Sequence, residues 1–263
     1  MPLFYDQMKR VVNVSANPKR IVSLVPSQTE LLFELGLNEQ IVGVTKFCIH
    51  PADKVKNIKK VGGTKQLNTE RIDLIKPDLI IGNKEENEQS QIEQLSQHYP
   101  IWMSDIVDLA SALNMIAEIG EITGKSEKAS WLTAQITTNF DNLEPLPAKL
   151  NVLYLIWRKP YMAAGKHTFI NDMLARCGFN NIIHQSRYPE LSMAEIQLLD
   201  PDVILLSSEP YPFADQHINE LKEIVPEARI LLTDGELFSW YGSRLLHSPG
   251  YFRTLIKKLN TKE

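Results

Sequence analysis

Only two cysteines occur among the 263 residues, Cys48 and Cys177, and they form no CxxC pair. They make neither a disulfide framework nor a zinc knuckle, so both are expected as buried thiols. Positive charge is not in excess: 28 Lys and Arg against 32 Asp and Glu give a net charge of −4. The basic face that nucleic acid requires is missing, and no nucleic-acid partner is expected. No apolar run approaches the roughly 18–20 residues of a membrane span. The opening "MPLFYDQMKRVVNVSANPKR" lacks a basic segment followed by a roughly 7–15-residue apolar stretch, so it is not a secretory signal. Also missing are a GxSxG elbow, a GxxxxGK[ST] loop, a GxGxxG after a strand and any HExxH or HxH pair. Those absences argue against an enzyme and call for no cofactor.

What the chain does contain is an internal echo. "TERIDLIKPDLIIG" (69–82) and "MAEIQLLDPDVILLSS" (193–208) share a short helix, a Pro-Asp pair and a β-branched strand, at an offset of 124 residues. In each copy a polar loop follows, then an amphipathic helix (91–98; 216–224), then Pro100 or Pro226 and a strand, "IWMSD" or "RILLTD". The segments before them, "RIVSLVPSQTELLFELGLNEQIVGV" and "LNVLYLIWRKPYMAAGKHTFINDMLARCGFNNII", repeat the order strand, loop, helix, glycine, strand more loosely.

Strands alternating with helices predict parallel sheets with helices on both faces. Between the two halves, 106–143 is helical by periodicity and free of proline; Gly124 divides it, and Ser126 caps a second helix reaching about Leu143. A helix of about 18 residues spans roughly 27 Å, enough to tie two lobes together. The expected architecture is α/β: two lobes with central, mainly parallel sheets flanked by helices, joined by one long backbone helix. The expected boundaries are 1–124 for the first lobe, 125–145 for the connecting helix and 146–263 for the second lobe.

In "IVSLVPSQTELLFELGL" (21–37) a buried strand breaks at Pro26-Ser27 and a helix begins. Ser27-Gln28-Thr29-Glu30 fits a capping box, in which Ser27 accepts from the third helical amide and Glu30 reaches back. The helix then leaves from the carboxyl edge of a sheet, the edge where open α/β sheets bind ligands.

The run Arg20–Glu30, with "IVGVTKFCIHP" and "VGGTKQLNTERIDLIKPDLIIG", resembles the periplasmic cobalamin- or iron-siderophore-binding proteins, the solute-binding components of ABC importers. The likeness extends from "DQMKRVVNVSANPKR" to the last helix and is greatest to the cobalamin-binding members. It implies a ligand in a cleft between two lobes: a small-molecule metal chelate of cobalamin, siderophore or haem type. By position, the first lobe would offer Pro26, Ser27 and Gln28, then Phe47 and His50 in "FCIHP", then Thr64. From the second lobe would come Trp157, Arg158 and Tyr161 in "WRKPY", Arg187-Tyr188, and Trp240, Tyr241 and Arg244 in "FSWYGSR". Aromatic rings suit a flat macrocycle, and arginines suit carboxylate, amide or phosphate groups on its rim. Where cobalamin-binding members would offer an aromatic, this chain has Thr64. Trp102 and Trp131 read as structural.

Of the six histidines, only His50 falls near the expected cleft; the other five read as surface or helix residues. The resemblance also implies one acid per lobe docking on a permease: Glu85 and Glu86 after the first-lobe strand, and Glu209 after its repeat partner. A monomer is expected. The family is periplasmic or cell-envelope; if Met1 is the native start, this chain would instead be cytoplasmic. Three alternatives stay open at this point: a cytoplasmic chelate-binding or sensing protein of the same fold, a ferric-siderophore or haem binder, and direct capture of a bare metal ion.

Overall fold

The computed structural model describes residues 3–15 and 17–260. It divides into two compact units. Unit 1 contains the chain up to Ile106, Ala110–Thr137 and Trp240–Leu246; unit 2 contains Val107–Leu109, Thr138–Ser239 and the chain from His247.

In unit 1, β1 (Leu3–Tyr5) and β2 (Val11–Asn13) form an antiparallel hairpin. The sheet comprises β3 (Ile21–Ser23), β4 (Ile41–Val44), β5 (Lys59–Lys60), β6 (Leu79–Asn83) and β7 (Ile101–Ser104). They lie in the order β5-β4-β3-β6-β7, and every pair is parallel. β3, β6 and β7 are buried along their whole length, which is why their sequences are apolar on both faces. The helices are α1 (Pro26–Glu34), α2 (Ala52–Val55), α3 (Thr69–Ile75) and α4 (Gln89–Ser96), with α5 (Leu109–Ile122) and α6 (Ser126–Asp141) except for Leu109 and the last turn of α6 from Thr138, which count with unit 2. Gly124, at φ +68°, makes the turn between α5 and α6 that the sequence predicts.

Unit 2 has a mixed sheet of β8 (Asn151–Trp157), β9 (Tyr161–Ala163), β10 (Asn180–Asn181), β11 (Glu190–Leu191), β12 (Val203–Ser207) and β13 (Arg229–Thr233). β8, β12 and β13 run parallel side by side, while β9 folds back antiparallel on β8 and β11 on β9. Its helices are α7 (Phe169–Arg176), α8 (Met193–Leu199), α9 (Asp215–Ile224), α10 (Gly235–Ser239) and α11 (Ser248–Asn260). Leu153, Leu155, Ile204, Leu206 and Leu221 form a fully buried core between sheet and helices. Each such side chain contributes about 1.5–3 kcal/mol by leaving water. Among the described residues no helix is long and apolar enough to cross a membrane.

The repeat in sequence is a repeat of hydrogen bonds. Asn68 and Ser192 cap α3 and α8, accepting from Arg71 N at 2.9 Å and Glu195 N at 3.2 Å. Each helix ends on a left-handed residue, Lys76 at φ 51° and Asp200 at φ 43°, immediately before the Pro-Asp pair. The aspartate then takes backbone amides at the start of the neighbouring strand. Asp78 accepts from Lys19 N at 2.7 Å and Arg20 N at 2.8 Å, and Asp202 accepts from Asn151 N at 2.7 Å. Proline blocks further helix and the carboxylate fastens the next strand, so the dipeptide recurs for a mechanical reason.

Two local expectations are corrected. α1 starts at Pro26 with Val25 as its cap and no side-chain cap bond, so Ser27 does not head a capping box. Proline is already set for the first helical position and makes that start two residues earlier. A capping box does occur, at Ser192–Glu195 in α8. Trp102 is fully buried as expected, but Trp131 on α6 is 53% exposed and is no core residue.

Candidate functional site

Because the five strands of unit 1 are parallel, the loops after them share one edge of the sheet. That edge carries Pro26 after β3, the 45–51 loop after β4, Gly62–Thr64 after β5 and the 84–87 loop after β6. Its exposed apolar side chains are Phe47 and Ile49, both 51% exposed. Lys46 Nζ lies 5.0 Å from the Phe47 ring centre. Pro26 and Thr64 are half-buried, whereas Ser27 and Gln28 are buried. Gln28 Nε2 donates to Ser104 Oγ at 2.6 Å, which ties α1 to β7.

Trp240–Leu246, expected on the second lobe, counts with unit 1. This segment lies against α1 and the loops of the same edge. The Trp240 ring meets His50 edge-on at 5.6 Å, and Tyr241 donates to Glu86 Oε1 at 3.1 Å. Arg244 grips Glu30 through two bonds, at 2.6 and 3.0 Å, and its guanidinium stacks 4.6 Å from the Trp240 ring. A Cβ on Gly242 would stand 2.6 Å from Ser27 O, so only glycine permits this close approach. Trp240 and Tyr241 are consequently buried.

In unit 2 the matching edge lies at the tips of β8, β12 and β13. Trp157, the last residue of β8, is 39% exposed and packs edge-on against Tyr211 at 5.7 Å. Arg158 follows it and is held by Glu220 of α9, with Nη2 and Nε both on Oε2 at 2.7 and 3.0 Å. Tyr161 donates to the other oxygen at 3.1 Å. Burial and the Glu220 charge push the Tyr161 hydroxyl up to about 12. Burial pulls the Glu220 carboxyl upward, but the bonds from Arg158 and Tyr161 outweigh it and hold it below its ordinary range. Arg158 is held above its own range, chiefly by Glu220.

Arg187 and Tyr188 stand just before β11. The backbone of Arg187 pairs with Gly165 and Lys166, beyond the point where β9 has run back to the level of Leu155. Arg187 Nη1 donates to His167 O at 3.1 Å. The backbone of Arg187 therefore lies beside the folded-back β8–β9 hairpin.

The acids follow the repeat. Asn83 Oδ1 accepts from Glu85 N at 2.8 Å, and Ser207 Oγ accepts from Glu209 N at 3.3 Å, the same turn at the end of β6 and of β12. Glu209 Oε1 also accepts from Ser239 Oγ at 2.6 Å. Among the described residues no group of three or more His, Cys, Asp and Glu is placed to hold a metal ion.

Sequence reasoning missed Glu220 and Tyr211 altogether and gave Glu30 a different role. Arg158 and Glu220 lie 62 positions apart, and Arg244 and Glu30 lie 214 apart, so no local spacing announces either pair.

Comparison with known proteins bears on what these edges serve. A family described as periplasmic binding protein matches residues 21–226. An uncharacterized ABC transporter substrate-binding lipoprotein, YvrC of Bacillus subtilis, is 28% identical over 92% of this chain and 81% of its own length. A vitamin B12-binding protein of Yersinia pestis is 27% identical over 72% of this chain and 69% of its own. Among solved structures, the molybdate periplasmic binding protein MolA of Haemophilus influenzae superposes with a TM-score of 0.84 at 17% identity, covering 98% of this chain and 91% of that one. At such identity the last likeness shows the fold alone.

Proposed function

The chain belongs to the periplasmic binding protein family, and from that premise we propose that it captures a corrinoid, cobalamin-like or related metal chelate for an ABC importer. The family is one of substrate-binding proteins, not of enzymes. The observation that carries the chelate reading is the pair of exposed apolar patches at the carboxyl edges: Phe47 and Ile49 on unit 1, Trp157 on unit 2. A large ring left in water at a ligand-binding edge is suited to covering a face of a planar macrocycle, burying much area at small side-chain entropy. The name of the Yersinia relative supports a corrinoid over other chelates.

In this reading Phe47, His50 and Thr64 are the ligand-facing residues of unit 1, and Trp157 is that of unit 2. Trp240 and Tyr241, both buried, back the unit 1 loops instead of facing the ligand. Glu85, Glu86 and Glu209 are the acids offered to the permease, presented by equivalent turns.

Equilibrium dialysis of the intact chain against cyanocobalamin, haemin, a ferric siderophore, molybdate and zinc chloride tests the proposal. Saturable uptake of a chelate at one per chain is expected. Uptake of only molybdate or zinc, or of none of the five, overturns it.

A further inference from the structure

Two arginines sit at the edges where the ligand is placed, one in each unit, and both are already occupied. Arg158 is bound to Glu220 at 2.7 and 3.0 Å, with Tyr161 completing the carboxylate's shell at 3.1 Å. Arg244 is bound to Glu30 at 2.6 and 3.0 Å. All four side chains are largely sheltered, between 17% and 27% exposed. A planar guanidinium meets a carboxylate or phosphate through its paired N–H groups. An incoming anion would have to displace a carboxylate that the fold holds in place, and would leave that carboxylate half-buried without its cation.

We infer that Glu220 and Glu30 are specificity-determining residues that neutralise the rim arginines in advance, so that the chain selects a chelate rimmed by amides over one rimmed by carboxylates. They act through the arginines and need not touch the ligand, which makes them positioning residues. Discrimination of this kind is built by penalising the wrong partner as much as by rewarding the right one. The inference rests on the chelate reading above and adds the charge class of the ligand's rim.

The test compares the intact chain with Glu220→Gln, using three probes: cyanocobalamin, its monocarboxylic acids (one rim amide hydrolysed) and haemin, which carries two carboxylates. The unaltered chain is expected to prefer cyanocobalamin to the monocarboxylic acids and to haemin. Glu220→Gln is expected to strengthen binding of the carboxylate probes by about tenfold while leaving cyanocobalamin unchanged, because a charge-assisted pair becomes available to the ligand. That gain should shrink as salt is raised and vanish in the Arg158→Gln/Glu220→Gln double variant, responses that a merely structural role would not produce. Should Glu220→Gln fail to fold, Glu30→Gln tests the same shift from unit 1. Haemin bound by the unaltered chain as tightly as cyanocobalamin, or a probe ratio that Glu220→Gln leaves unmoved, overturns the inference while leaving the chelate reading intact. Failure of the unaltered chain to bind any chelate removes both.

Discussion

Arg244 and Glu30 meet through two hydrogen bonds, Nη2 to Oε1 at 2.6 Å and Nε to Oε2 at 3.0 Å, although 214 positions separate them in the chain. The pair fastens Trp240–Leu246 to the first turns of α1, where Gly242 lies close over Ser27 O. Glu30→Gln keeps the shape and removes the charge. Hydrogen exchange followed by mass spectrometry should show amides of Trp240–Leu246 exchanging about ten- to hundredfold faster, equivalent to about 1–3 kcal/mol of local stability. Unchanged protection would mean that the segment is held by its rings alone.

Asp78 and Asp202 do the same task in the two halves, each accepting strand-entry amides through its carboxylate. Asp78→Ala and Asp202→Ala should each lower stability to urea by about 1–3 kcal/mol, the range for hydrogen bonds to a charged group. Glu93→Ala on the exposed side of α4 serves as the comparison and should change stability by no more than about 0.5 kcal/mol.

The Glu220 carboxyl is held below its ordinary value of 4.5 in the folded chain, burial opposing the shift and the Arg158 and Tyr161 bonds prevailing. Between its folded value and 4.5 the unfolded chain binds more protons than the folded one. The stabilisation is therefore complete above the unfolded value and is lost as pH falls through the folded one. Acid titration followed by circular dichroism should show a shallower fall in stability below pH 4.5 for Glu220→Gln than for the parent chain. A parallel fall in both would show that Glu220 contributes nothing to the acid response.

Both thiols are inert by placement. Cys48 and Cys177 are buried, and burial is the main force raising each above the ordinary thiol range. At neutral pH neither should react with iodoacetamide until denaturant is added, whereupon both should be alkylated within minutes. Mass spectrometry of the intact chain reads this directly; rapid labelling of the native chain would contradict the packing around either residue.

Much of this was legible in the sequence, and the part that was not has a common cause. The Pro-Asp repeat showed itself because the helix cap, the left-handed stop and the carboxylate clasp are all local, spaced alike around Pro77 and Pro201. Buried parallel strands likewise announce themselves as short apolar runs. Ser27 misled because Pro26 satisfies the helix start by itself, leaving the serine at the second helical position. The site was harder. Phe47 could be placed from the strand it follows and Trp157 from the strand it ends, but whether a ring faces water is decided by what packs on it. Trp240 and Tyr241 have the same composition and lie buried. The arginines were found as residues but not as pairs, since Glu220 and Glu30 reach them only through the fold.

The most direct measurement is calorimetric titration of cyanocobalamin into the intact chain beside a Phe47→Ala/Trp157→Ala double variant. If the exposed rings of these edges are ligand surface for a planar chelate, the parent will saturate at one ligand per chain and the variant will bind at least a hundredfold more weakly while melting at a similar temperature. Equal affinity in the two proteins would contradict the assignment of these edges as the binding site.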